Sequence, residues 1–157
     1  MIIDVPIRGR GREGGVLPKF YEFFAGGGMV RAGLGPAWRC LFANDFDVKK
    51  AQTYRANWGG AGLHVGDING VGAADLPGVA DLMWGSSPCQ DLSLAGTGAG
   101  LAGQRSGAFY AFWRLVNGLS KEARAPKVVA IENVGGALTS HQGRDFEAMI
   151  RTFVDHD

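Results

Sequence analysis

Cysteine is scarce: Cys40 and Cys89 are the two in 157 residues, and they form no Cys-x-x-Cys pair and no cluster with the three histidines. That argues against a disulfide framework or a thiolate zinc site, so no metal is expected, and it fits a reduced, cytoplasmic protein. Long apolar runs are missing too, so nothing reads as a membrane span or as the core of a signal peptide. Neither sign of charge is in excess, with 16 Lys and Arg against 15 Asp and Glu. A compact, freestanding DNA-binding module is usually plainly basic, which disfavours that class.

Glycine is abundant instead: 26 residues of 157, more than twice the average usage of about 7%. The glycines cluster without a period. Such clustering excludes repeat architecture and points to backbone that turns sharply or meets a ligand closely. Residues 1–17, MIIDVPIRGRGREGGVL, lack a sustained apolar pattern and read as a flexible leader. From residue 18 onward, apolar strand-like runs alternate with helical patterns. KFYEFFA (19–25), WRCLFAND (38–45), LHVGDI (63–68), ADLMWGSS (80–87) and KVVAIENV (127–134) read as strands. MVRAGLG (29–35), VKKAQTYRANW (48–58), SGAFYAFWRLVNGLS (106–120) and FEAMIRTFVDH (146–156) read as helices. The alternation predicts an α/β fold, a Rossmann-like, doubly wound, mostly parallel sheet.

In such sheets ligands gather at the carboxyl ends of the strands. The residues found there are Ala25–Gly28, Asp45, Asp67, Pro88–Gln90 and Glu132–Val134. The glycine triplet in FAGGGM would let a ligand approach, with the next helix N-terminus favouring an anionic group. A dinucleotide fingerprint fails, since Arg31 stands where its third glycine belongs, which disfavours a nicotinamide enzyme. Asp45 suits ribose hydroxyls, although Asp45 or Asp47 could instead cap a helix. Asp67 suits an adenine amino group or a turn. Together they point to an adenosine-containing cofactor without a pyrophosphate.

Cys40, inside WRCLF, reads as a small buried hydrophobe. Cys89 does not, because it follows Pro88 at a strand end among Gln90, Asp91 and Ser93. That place suits a reactive thiolate. Glu132, at the end of a strand expected to be fully buried, is the candidate acid, its pKa raised by desolvation. Pairing of the fourth and fifth strands would bring Cys89 and Glu132 to one edge.

FAGGGM, ANDFD, GDI, SSPCQDLS and AIENV, in this order and spacing, resemble the DNA (cytosine-5)-methyltransferases, from about Lys19 onward. The resemblance implies an S-adenosylmethionine-dependent methyltransferase domain over residues 18–157. It implies that Phe24, Gly26, Gly28, Asp45, Phe46, Asp67, Ile68 and Pro88 hold S-adenosylmethionine. Cys89 and Glu132 would be catalytic, with Gln90, Ser93 and Asn133 meeting the substrate, a cytosine flipped out of duplex DNA. The Gly-rich stretch 94–107 lies where the family keeps its mobile catalytic loop. A transfer-RNA methyltransferase of the same lineage and an inactive cofactor-binding remnant remain alternatives. The family's Gln-x-Arg-x-Arg segment, its target-recognition domain and its late C-terminal segment have no counterpart here. The expectation is therefore a sheet incomplete at its C-terminus, with the missing parts on a longer chain or on a second one.

Overall fold

The computed structural model describes residues 16–87, 107–133, 138 and 140–154. Most of the expected leader, the Cys89 segment and nearly all of the Gly-rich loop lie outside the described residues. Five strands form one sheet: β1 (Lys19–Phe23), β2 (Arg39–Asp45), β3 (Leu63–Val65), β4 (Leu82–Gly85) and β5 (Val128–Ile131). Their order is β3-β2-β1-β4-β5 and every pair is parallel. Among the described residues the helices of six residues or more are α1 (Met29–Leu34), α2 (Val48–Trp58), α3 (Gly107–Lys121) and α4 (Arg144–Val154).

Alternation along the strands divides the apolar residues between two faces. Tyr21, Phe23, Phe42 and Met83 join Ala111, Phe112, Leu115, Val116 and Leu119 of α3 in the main core. The α3 residues recur at helical spacing, a stripe that can cover the sheet. On the second face, Ala25, Ala43 and Tyr54 of α2 pack with Cys40, Trp58 and Leu63. Cys40 is thus half-buried among apolar neighbours, and burial raises its thiol pKa, as a packing residue should.

Strand order reverses between β1 and β4. The chain runs outward through β2 and β3 on one side, then returns to add β4 and β5 on the other. At such a switch point the connections leave adjacent strands toward opposite faces, and a crevice opens beyond the carboxyl ends of the strands. Phe23 pairs with Gly85, and the Ser86 amide bonds the Phe23 carbonyl at 3.3 Å. The turn after β1 therefore lies beside Ser86 and Ser87.

The strands are shorter than their apolar patterns suggest. β1 stops at Phe23 because Phe24 turns into the left-handed region at φ 57°. β3 gives way to a short 3-10 turn (Ile68–Gly70) capped by Asp67, whose side chain accepts the Asn69 amide. The larger correction concerns β5. Its β-branched run predicts full burial, yet Val128 is 55% exposed and Glu132 is exposed. Among the described residues β5 pairs with β4 alone and forms the edge of the sheet. A β-branched composition reports strand character, not position within the sheet.

Glycine at 85 is set by α3. A Cβ there would lie 2.8 Å from Cε2 and 3.0 Å from Cδ2 of Phe112. Gly85→Ala is expected to push α3 off the sheet and cost about 1–3 kcal/mol. Urea unfolding checks this, and Phe112→Leu in the same chain should recover part of the loss.

Candidate functional site

The site grows from the turn that follows β1. Gly26 and Gly28 have φ 54° and 84°, a region closed to most side chains. Asp45, at the end of β2, fastens this turn: its Oδ2 accepts the Gly26 amide at 2.8 Å and its Oδ1 the Asp47 amide at 2.9 Å. Asp45 is only 4% exposed, so both bonds are made away from water. The helix cap belongs to Asp47, whose carboxylate accepts from the amides of Lys49 and Lys50 at the start of α2. Of the two aspartates in ANDFD, Asp47 is therefore the cap and Asp45 the tie between the two turns. Phe46, between them, is 68% exposed at the rim.

The remaining cofactor candidates spread along the same edge. Phe24 is half-buried against the main core. Asp67 is exposed and bonds its own turn through Asn69, at 2.8 Å to the backbone amide and 2.9 Å to the side-chain nitrogen. Ile68 is a core residue, 4% exposed, and three carbonyls around it (Ile68, Asn69 and Val71) accept from Arg114 of α3. An adenosine-bearing ligand fits at Gly26, where nothing lies within 4 Å of the place a Cβ would take, with the exposed Phe46 ring and the exposed Asp67 carboxylate at the next two strand ends.

On the other side of the switch point, β4 and β5 run side by side, Gly85 opposite Ile131, and the Glu132 amide continues the ladder to the Gly85 carbonyl at 2.9 Å. Asn133 reaches across, its Nδ2 lying 3.3 Å from both the carbonyl and the Oγ of Ser87. Glu132, Ser86 and Trp84 line an open groove of about 430 Å³ whose other wall is Met29, Val30, Gly33 and Leu34. The indole of Trp84 donates to Ser86 Oγ at 2.8 Å. Pro88, Cys89, Gln90 and Ser93 lie outside the described residues, so their expected convergence with Glu132 stands on the pairing of their strands. The burial expected of Glu132 is not found, for the reason given for β5.

Besides Asp45, a second carboxyl is buried among the described residues, Glu22, which none of the motifs marks. It lies in mid-strand, 1% exposed, flanked by aromatic residues. Its Oε1 accepts the Val30 amide at 3.2 Å, and its Oε2 has no hydrogen-bond partner among the described residues. Burial pushes its carboxyl up to about 7, opposed by the amides of Val30 and Arg31 and by the Arg31 charge. The first turn of α1 was expected to meet an anionic ligand. The protein places its own carboxylate there instead. The available signal was a single acid inside an otherwise apolar strand, KFYEF.

The model of the C-5 cytosine-specific DNA methylase family matches residues 18–157. The chain is 32% identical over 137 residues to the Type II methyltransferase M.BsuFI of Bacillus subtilis, aligning 87% of this chain with 32% of that protein. With the Type II methyltransferase M.NgoFVII of Neisseria gonorrhoeae it is 33% identical over 139 residues, 87% of this chain and 35% of that one. It spans about a third of the length of these curated relatives. Its fold matches the crystal structure of the S. pombe Dnmt2 methyltransferase with a TM-score of 0.65 at 23% identity, covering 85% of this chain and 41% of that one.

Glu22 gives a pH-dependent prediction. Its carboxyl titrates near 7 in the folded protein against an ordinary value of 4.5, so the folded state keeps a proton that the unfolded state has released. The associated stability is fully present below about pH 4.5 and is lost as pH rises through about 7. Glu22→Gln, which cannot ionise, should escape that loss. Between pH 5 and pH 8 the wild type should fall relative to the variant by at most about 3 kcal/mol. Urea unfolding at both pH values measures it; parallel profiles would show that Glu22 is ionised throughout.

Proposed function

The chain belongs to the C-5 cytosine-specific DNA methylase family, and from that premise we propose that residues 18–157 are the cofactor-binding and catalytic part of an enzyme that methylates C5 of cytosine in DNA. The pairing of β4 with β5 carries the reading. It sets Glu132 and Asn133 beside Ser87, and two peptide bonds separate Ser87 from Cys89. Nucleophile and carboxyl then serve one base at one edge.

Cytosine C5 is a poor nucleophile. Addition of the Cys89 thiolate to C6 forms a carbon–sulfur bond and shifts the C5–C6 π electrons into the ring, leaving an enamine whose C5 is electron-rich. Glu132 donates its carboxyl proton to N3 and accepts from the exocyclic amino group, which offsets the negative charge that addition develops. Since Glu132 is exposed, the entering base itself supplies its desolvation. Asn133, Gln90 and Ser93 are assigned to the substrate, and the base must leave the duplex stack to reach them. Phe24, Gly26, Gly28, Asp45, Phe46, Asp67, Ile68 and Pro88 are assigned to S-adenosylmethionine, which when bound supplies a methyl group activated by its sulfonium. Release of the C5 proton and expulsion of the thiolate then restore the ring. Reading of the DNA sequence is assigned to polypeptide outside these residues, on the same chain or a second one, in keeping with their balanced charge.

The full protein should form a covalent adduct with duplex DNA carrying 5-fluorocytosine, in which the C5 substituent cannot leave as a proton. Cys89→Ala should abolish the adduct and lower methylation by about 10³-fold or more. An adduct that persists in Cys89→Ala would remove the nucleophile from the scheme. Transfer RNA accepted in preference to DNA would assign the alternative substrate.

A further inference from the structure

The end of α2 makes contacts with the glycine turn that neither the motifs nor the assignments above account for. The indole Nε1 of Trp58 donates to the Gly27 carbonyl at 3.1 Å, and Asn57 Nδ2 donates to the same oxygen at 3.3 Å. The indole also fills the space beside Gly28, where a Cβ would lie 2.2 Å from Nε1 and 2.6 Å from Cδ1. Trp58 is itself held. Arg31 lies over its ring at 5.1 Å from the centroid and over Tyr54 at 5.8 Å, and donates to the Tyr54 hydroxyl at 3.1 Å. The residue that breaks the dinucleotide fingerprint therefore acts as a brace.

A peptide unit is planar, so bonding both its ends fixes its orientation. The 27–28 unit is held at its carbonyl by Trp58 and Asn57 and at its N–H by the Ala25 carbonyl, 2.8 Å away. The 25–26 unit is held at its carbonyl by that same Gly28 amide and at its N–H by Asp45. The 26–27 unit between them takes part in none of these bonds. With both neighbours fixed, it is the part of the turn whose polar groups are offered to a ligand.

We propose that Trp58 and Asn57 are positioning residues for the cofactor: their two N–H groups hold the Gly27 carbonyl against α2 and so set the direction of the 26–27 peptide. The inference rests on the assignment of the turn to S-adenosylmethionine. Trp58→Phe keeps the ring and its stacking on Arg31 but removes the donor, and Asn57→Ala removes the other donor from an exposed position.

Calorimetric binding of S-adenosylhomocysteine to the full protein, with urea unfolding of each variant, tests it. Each single change should raise Kd by about 3- to 10-fold, and the double variant by more than either. In turnover, KM for the cofactor should rise while kcat at saturation holds. Unfolding midpoints should stay close to wild type, a split that a merely structural role would not give. If the double variant fails to fold, Asn57→Ala decides the matter alone. Wild-type protein that does not bind would overturn the cofactor assignment itself. Wild-type binding with unchanged Kd in the folded variants, or losses that track unfolding, would overturn the positioning role.

Discussion

The carboxylate of Asp45 is the contact on which the edge of this sheet depends. It stands at the end of β2, is almost wholly buried, and gives one oxygen to the turn after β1 and the other to the turn before α2. Each bond places a backbone N–H on a carboxyl oxygen away from water, and losing it would leave that amide unsatisfied at a cost on the order of 1–3 kcal/mol. Without them, the Gly26 amide would lose its bond to β2, leaving the Ala25 amide on the Asn44 carbonyl as the turn's tie to that strand, and the Asp47 amide before α2 would lose its partner. The parallel sheet supplies the crevice; Asp45 gives it a defined wall.

Three further acids along the same edge show how position, rather than residue type, sets the role. Asp47 caps α2. Asp67 folds back on Asn69 and shapes the turn that leads to Ile68. Glu22, buried in the central strand, fills the start of α1 and is driven toward the protonated state by loss of water. On the far side of the crevice Glu132 keeps its solvent and lines the groove with Ser86 and Trp84. Glu132, proposed to meet a base, can remain hydrated until the base arrives, whereas the carboxyl of Glu22, which bonds the start of α1, cannot.

Much of the fold was legible in the residues. The alternation of aromatic or β-branched runs with helical patterns led to a parallel sheet, and the small and polar residues at each strand end marked the edge now proposed to bind ligands. α2 was bounded at Val48 and Trp58 from its pattern alone. What could not be read was which strand would be covered. β1 and β5 are both apolar, but among the described residues β1 is flanked on two sides and β5 on one. That difference lies in the sheet order, and it exchanges the places of the two glutamates: Glu22 is buried, Glu132 is open. The bracing of Gly27 by Trp58 and Asn57 was equally hidden, because a contact some thirty positions apart leaves no local trace.

The adenosyl sulfonium donor is proposed to bind at the turn after β1 that Asp45 ties. Amide chemical shifts followed during a titration with S-adenosylmethionine report the location directly. Perturbations should concentrate at Phe24–Gly28, Asp45–Phe46 and Asp67–Ile68, with the Gly27 amide among the largest. Saturable shifts confined to another face of the sheet, with the Gly26–Gly28 amides unmoved, would contradict it.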